Sequence, residues 1–338
     1  MNVKKYLLPN TQQYKVNLHA HTTVSDGHMT PEEMKAYYKK NGYHAVAFTD
    51  HEVLVPHNDL TDDTFVALVG YEYSIPLGEK GPMRRYYHLN FLSRTPDVRT
   101  HVFFHPKAVW GNARNYLPTV EYKGEYVERV YSTEFVNRLI SEAHEEGYLV
   151  QYNHPHWSLQ YYPDYEGLEG VDFLEIFNTV VNASCRLDRD DHVFDDFLWL
   201  GKFPIPTGND DNHNEAYEGE QRWDSLGAYN MVASEELSYE GLMSALESGA
   251  TYATEGPRIH AIYAEGSKVT VACSPVAYLR VQGNGRHGYT VPVHRDVGGI
   301  EGVTVEIAPE WKYFRVILED EHGLRAYSRA YRVEEFLV

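Results

Sequence analysis

The sequence predicts an α/β protein, either an α/β barrel or an open sheet with crossover helices, followed by a small all-β domain. Three observations carry this expectation. Apolar runs of strand length alternate with helical patterns from Tyr14 to about Thr254. After Gly256-Pro257 the texture changes to short strand-like runs separated by Gly-, Asn- and Pro-containing turns, with no convincing helix. Potential metal ligands recur at the ends of the strands in the first region, where α/β barrels place their active sites. The chain is therefore expected to divide into a domain over 1–256 and a β-sandwich-like domain over 257–338.

The elements follow in order. Strands are predicted at 15–19, 45–49, 65–69, 87–91, 148–152, 172–177, 203–207 and 251–254, each a short apolar run bounded by turn residues. Thr30-Pro31-Glu32-Glu33 reads as a capping box with proline at the first helical position, and Gly42 marks where that helix stops. A helix over 133–146 places Phe135, Val136, Leu139, Ile140 and Ala143 on one face and ends at Gly147. Two more helices are predicted, at 190–200 before Gly201 and at 239–248 before Gly249. Such alternation implies parallel strands. The stretch 93–131 shows neither period, and an insertion of that length reads as a lid or binding loop. Strands at 268–273, 277–282, 303–307, 313–318 and 326–332 make up the β domain.

Composition narrows the function. With 43% hydrophobic and 14% aromatic residues, the 338-residue chain can bury a substantial core. No apolar run approaches the ~18 residues of a membrane span, and no secretory signal is visible at the start, so no membrane partner is expected. Cys185 and Cys273 are too few for a disulfide framework, which points to a reducing cytoplasm. Lys and Arg number 30 against 49 Asp and Glu, and the resulting charge of −19 argues against a nucleic-acid polymer as the main partner. The 18 histidines stand out, because histidine is both the commonest metal ligand and the neutral-pH acid/base.

Those histidines are ordered along the chain. In Asn17-Leu18-His19-Ala20-His21, followed by Ser25-Asp26-Gly27, two imidazoles two residues apart share one face of a strand. Ala45 to Phe48 is apolar and ends abruptly in Thr49-Asp50-His51. Leu68-Val69-Gly70-Tyr71-Glu72 ends in a carboxylate, and Tyr87-His88-Leu89 puts a histidine inside an apolar strand. Tyr152-Asn153-His154-Pro155-His156 and Asp211-Asn212-His213 close two further strands. Each signal is modest alone; their repetition at strand ends is specific.

Taken together, His19-x-His21 with Ser-Asp-Gly, Thr49-Asp50-His51, Gly70-x-Glu72, the His-Pro at His154 and Asp211-x-His213 resemble the successive motifs of the PHP (polymerase and histidinol phosphatase) superfamily, over about residues 14–256. The tail after Pro257 resembles the C-terminal extension of some bacterial members. The resemblance implies a distorted (β/α)7 barrel, related to the TIM barrel, holding two or three divalent metal ions. It assigns His19, His21, Glu72 and Asp211 to a first metal. Glu72 bridges to a second metal, held also by His88 and His154. Asp26, His51 and His213 form a third site, although some members carry histidine where this chain has Asp26. A mixed His/carboxylate set without thiolates suits Zn, Fe or Mn.

The implied activity is that of a metal-dependent phosphoesterase acting on a small phosphorylated metabolite or nucleotide. A water bridging two divalent ions loses its proton near neutral pH, and the hydroxide attacks the phosphoryl group. His213 or Asp26 is the expected catalytic proton source for the leaving alkoxide. Arg84, Arg85, Lys107, Arg114 and Arg186 lie in segments that could reach the barrel mouth. Of these Arg114 and Arg186, with His156, are the expected substrate-binding residues. Two rival readings keep the same residues: a hydrolase of carboxyl or carbamate esters, and a non-catalytic metal-binding module.

Overall fold

The computed structural model describes residues 4–187, 189–292 and 299–337. Its architecture is mixed α/β, with one 14-stranded sheet and a second sheet of four strands. Where hydrophobic periodicity is strong, local structure follows it. The helix Pro31–Lys40 is capped by Thr30, whose hydroxyl accepts from Glu33 N while the Glu33 carboxylate accepts from Thr30 N. Gly42 takes φ +76° just beyond that helix, a conformation L side chains rarely adopt. The helix Thr133–Glu145 buries the five expected apolar residues. Two strands, Tyr148–Tyr152 and Thr251–Thr254, have the expected bounds.

The long sheet runs from Ile205–Asn209 through Phe173–Asn178, Tyr148–Tyr152, Arg85–Ser93, Val66–Leu77 and Ala45–Phe48 to Gln13–Asn17. It continues through Tyr229–Ala233 and Thr251–Thr254 into the C-terminal strands Arg325–Ser328, Tyr313–Glu319, Tyr278–Gly283 and Gly288–Pro292. The second sheet joins Lys5–Leu8 to Ile259–Glu265, Lys268–Val276 and Ile300–Glu306. A short N-terminal strand that sequence patterning did not reveal thus completes a sheet made otherwise of C-terminal strands.

The expectation of parallel strands throughout is corrected in two places. Val66–Leu77 and Arg85–Ser93 pair antiparallel, with Leu77 opposite Arg85, and Arg85–Ser93 pairs antiparallel with Tyr148–Tyr152. The link 78–84 is too short for a crossover helix, which needs about a dozen residues, so the chain turns straight back. Tyr229–Ala233 also runs antiparallel to both its neighbours. The strand ladders trace an open path among the described residues. Between Gln13–Asn17 and Ile205–Asn209 the links are side-chain bonds and one bridge. Leu18 N donates to Asn209 Oδ1 (2.9 Å), Asn230 Nδ2 donates to Gly208 O (2.8 Å), and Ala20 bridges Asn212.

Most tyrosines near the site belong to the core rather than the pocket: Tyr71, Tyr73, Tyr87 and Tyr152 are fully buried. No helix among the described residues is long and apolar enough to cross a membrane.

Candidate metal centre

Backbone hydrogen bonds at the strand ends lay the sequence motifs side by side. Asp211 N donates to His19 O (2.9 Å) and His21 N to Asn212 O (3.1 Å), joining His-x-His to Asp-x-His across nearly two hundred residues. Glu52 N donates to Glu72 O (2.8 Å) and Glu72 N to Asp50 O (3.2 Å), which brings His51 to Glu72. Asn153 N donates to His88 O (3.0 Å), setting His154 beside His88. Three non-glycine residues at these ends have positive φ: Glu52 (68°), His154 (28°) and Asp211 (51°). Such strain costs about 1–3 kcal/mol each and persists where the surroundings over-determine it.

The rest of each motif holds a loop in place. Asp50 accepts from Thr22 N (2.7 Å), Thr22 Oγ1 (2.8 Å), Ser25 Oγ (2.7 Å) and Ser25 N (3.1 Å), so it fixes the loop carrying Asp26. Gly27 must be glycine for a different reason. A Cβ there would lie 2.3 Å from His21 O, so this loop can pack against the His-x-His backbone only without a side chain.

The nine expected ligand residues converge. Glu72 meets His19 Nε2 (3.4 Å), His21 Nε2 (3.5 Å), His51 Nδ1 (2.9 Å), His88 Nδ1 (3.1 Å) and His154 Nε2 (3.5 Å). Asp211 meets His19 Nε2 (3.1 Å), His21 Nε2 (2.9 Å) and His154 Nε2 (3.7 Å). Asp26 faces His213 Nε2 at 3.5 Å and His51 Nε2 at 3.9 Å. Three ligand clusters result: His19, His21, Glu72 and Asp211; Glu72, His88 and His154; and Asp26, His51 and His213 together with His21.

A fourth cluster adds Glu175 to His19 and His154. Glu175 Oε1 lies 3.0 Å from His19 Nδ1, the ring nitrogen opposite the one that faces Asp211. It is held by Asn178 Nδ2 and Asn209 Nδ2, each donating at 2.9 Å. Glu175 was not among the expected site residues, yet it carried a readable signal. It is the one charge in Phe173-Leu174-Glu175-Ile176-Phe177, a strand buried on both faces. Asn153 is a second such unexpected residue, and its Nδ2 donates to Glu72 Oε1 at 2.8 Å.

The arrangement suits divalent cations on two counts. First, among the described residues the ion pairs of Asp26, Glu72, Glu175 and Asp211 are all to histidine. Four largely buried carboxylates therefore sit among six imidazoles with no Arg or Lys paired to them among the described residues, and divalent cations would balance that charge. Second, His19 Nε2 and His21 Nε2 are 3.2 Å apart and face the same Asp211 oxygen. Two nitrogens bound at ~2.0–2.1 Å to one tetrahedral or octahedral ion stand about 3.0–3.4 Å apart.

The electrostatics show the same crowding. Burial disfavours charge on His19, but Asp211, Glu175 and Glu72 outweigh it and hold its pKa well above the usual histidine range. His51 is buried and His213 partly so, which opposes their charging, yet each is pushed up to about 9, by Glu72 and by Asp26 respectively. His21 moves the other way, to about 4, through burial and the neighbouring His51 and His213. Burial would raise Glu72, yet His88, His19 and His51 keep it well below the usual carboxylate range.

The centre forms the floor of a cavity of about 870 Å³. The segment 93–131 contributes His105, Lys107, Ala108, Trp110, Glu128 and Arg129 to its lining. The three expected substrate-binding residues are placed elsewhere. Arg114 is exposed and donates from Nε to Val109 O (3.0 Å). His156 is exposed, with its ring against His192 and its backbone N–H bonded to Asp190. Arg186 is exposed on a turn with φ +60°. Each follows a local helix or turn that points it away from the lining. The cations that do line the cavity are Lys80, Arg84, Lys107, Arg129 and Arg222.

Residues 17–176 match the family model of the PHP domain. No curated protein matches the sequence. Among solved structures, the chain is similar to a two-domain protein containing a predicted PHP-like metal-dependent phosphoesterase from Bacteroides vulgatus. That similarity has 16% identity over 96% of this chain and 98% of that one, with a TM-score of 0.47. It is also similar to an amidohydrolase from Chromobacterium violaceum with bound sulfate and no metal, at 16% identity over 61% of this chain and 89% of that one, with a TM-score of 0.35. The matched stretch supplies His19, His21, Asp26, His51, Glu72, His88, His154 and Glu175, so eight of the residues gathered at the centre lie within the segment 17–176 that matches the PHP domain.

Proposed function

We propose that this protein is a metal-dependent phosphoesterase that cleaves a phosphate ester of a small metabolite or nucleotide, using two or three divalent ions of Zn, Fe or Mn. The observation that carries the reading is the position of Glu72, within 3.5 Å of five different imidazoles. A carboxylate so placed serves two ions at once. Bound ions supply Lewis acidity toward a phosphoryl oxygen and lower the pKa of water in the cavity.

The chain's own residues do the rest. His19, His21, Glu72 and Asp211 would hold the first ion, Glu72, His88 and His154 the second, and Asp26, His51 and His213 the third. With two ions bound, His213 Nε2, 3.5 Å from Asp26 Oδ2, is placed to hold the proton needed by the leaving oxygen. Glu175 orients His19 through Nδ1. In the same reading the curved sheet is a distorted (β/α)7 barrel over 1–256, the segment 93–131 is its lid, and 257–338 is chiefly a structural β domain. The side-chain links of Asn209 and Asn230 support the barrel. The natural setting is the cytoplasm, with a small phosphorylated substrate and neither membrane nor nucleic-acid polymer as partner.

The test is a panel of chromogenic phosphate and carboxylate esters assayed after reconstitution with Mn, Fe or Zn. Phosphate esters should turn over, a chelator should abolish the rate, and Glu72→Ala should lose the most metal of any single substitution. Turnover confined to carboxylate esters would replace the phosphoesterase reading. Less than one equivalent of bound metal after reconstitution would end it.

A further inference from the structure

Five cations other than histidine line the cavity, and two of them are already neutralised. Arg129 pairs with Glu52 (Nη1–Oε1 2.8 Å) and lies 3.7 Å over the Tyr73 ring, while Arg222 pairs with Glu215 (2.9 Å). Lys80, Arg84 and Lys107 make no ion pair with a carboxylate among the described residues. In a chain of net charge −19, three uncompensated cations facing one cavity call for an explanation.

Two of the three stand on one short structure. Lys80 and Arg84 lie in the link 78–84 of the antiparallel hairpin, whose base is fixed where Leu77 pairs with Arg85 and where Tyr86 N donates to Ser158 O (3.2 Å). Arg84 N donates to Gly81 O (3.0 Å), which shapes the tip. The Arg84 guanidinium sits 5.5 Å from the Tyr86 ring centre, and its Nε is buried with no hydrogen-bond partner among the described residues. Tyr86 lies 5.0 Å from His88 and stacks on Trp157 at 6.2 Å and 22°, and Trp157 in turn lies 5.0 Å from His154. The hairpin tip therefore stands beside the Glu72–His88–His154 cluster, separated from it by an aromatic wall. Lys107 belongs to a different segment of the lining, the one that carries Trp110, whose ring lies 5.0 Å from His51.

We propose that Lys80 and Arg84 form a second anion-binding subsite, so that the substrate is a phosphate ester carrying a further anionic group joined to it by an apolar or cyclic body. This rests on the phosphoesterase reading of the same cavity. The scissile phosphoryl group lies over the metal cluster, the body of the substrate against Tyr86 and Trp157, and the remote anion at the hairpin tip. An unpaired guanidinium suits that anion, whether carboxylate or phosphate, because its fork binds either one bidentately. A cavity of about 870 Å³ has room for far more than a phosphoryl group.

The test uses the metal-reconstituted full-length protein and three rings that differ only in the remote group. Hydrolysis of phenyl phosphate, 4-carboxyphenyl phosphate and 1,4-phenylene bisphosphate is compared by kcat/KM. Binding of phenylphosphonate, 4-phosphonobenzoate and 1,4-phenylenebisphosphonate is measured by calorimetry. The doubly anionic members should be preferred by about tenfold in both measurements, with the carboxylate and phosphonate arms showing which anion fits. The preference should collapse toward unity in the Lys80→Ala/Arg84→Ala double variant and return in part with Arg84→Lys. Equal binding of all three phosphonates would overturn the subsite. So would a preference that survives the double variant, or one lost in Lys107→Ala instead. Selective binding that depends on Arg84, without hydrolysis of any of the three phosphates, would uphold the subsite and remove the phosphoesterase reading.

Discussion

Glu175→Gln removes one charge and almost no volume from a side chain whose hydrogen bond to the metal centre is the one to His19 Nδ1. In the native arrangement Oε1 faces His19 Nδ1 at 3.0 Å and accepts from Asn209 Nδ2 at 2.9 Å, while Oε2 accepts from Asn178 Nδ2 at 2.9 Å. All three partners donate, so the carboxamide cannot satisfy them. With its NH2 toward Asn178 it strands one buried donor; flipped, it opposes both His19 and Asn209. A stranded buried donor costs about 1–3 kcal/mol, and the bond to His19 also loses the strength a charged acceptor gives it. Loss of such a partner behind a metal-binding histidine lowers metal affinity about 10–100-fold, or about 1.4–2.7 kcal/mol. The two routes to the magnitude agree. Metal affinity measured by competition with a chromogenic chelator should therefore fall by one to two orders of magnitude, whereas kcat/KM at saturating metal should recover most of its wild-type value. Glu175→Ala, which strands all three donors and leaves a void, should do worse in both. An affinity for Glu175→Gln within twofold of wild type, in a protein of unchanged Tm, would refute the positioning role.

Two further outcomes follow from the surrounding structure. Gly27→Ala should lower stability by about 1–3 kcal/mol and weaken metal binding first at the cluster containing Asp26, since the added Cβ would lie 2.3 Å from His21 O and 2.7 Å from Thr22 N; unchanged Tm and metal content would contradict this. Lys15 is partly buried between the rings of Tyr43 and Tyr229, and burial lowers its pKa to about 8. Between that value and the ordinary lysine pKa of about 10.4 the unfolded chain binds more protons than the folded one, so stability gains with rising pH across that window. Lys15→Met should flatten this part of the Tm profile, and parallel profiles for the two proteins would show that Lys15 does not set it.

What the sequence revealed, and what it hid, divides along a physical line. His19, His21, His51, Asp211 and His213 were legible because each lies at or just beyond a strand end, where the period of two and the abrupt end of an apolar run mark both position and facing, whereas Glu72 was legible as the carboxylate after an apolar run although its strand continues to Leu77. His88 was legible as a residue but not in its setting. Its strand runs antiparallel, which the sequence did not announce because the turn at 78–84 lacks the Asn-Gly or Asp-Gly signature of a hairpin. Glu175 escaped because its partner His19 lies 156 residues away, although a lone charge in a doubly buried strand is itself an anomaly that demands a partner. The substrate-side cations were the least legible. A lysine or arginine in a loop has no periodicity to declare its direction, so Arg114 and Arg186 read no differently from Lys80 and Arg84. Only the packed fold separates them, by turning the first pair out to solvent and aiming the second at the cavity. Metal chemistry is written into this chain by residues that regular structure must present in one way, whereas specificity is carried by loops whose direction depends on contacts far away in sequence. On the proposed function, the identity of the substrate is therefore to be sought at the hairpin tip and the 93–131 segment, and the ligand motifs set what is done to it.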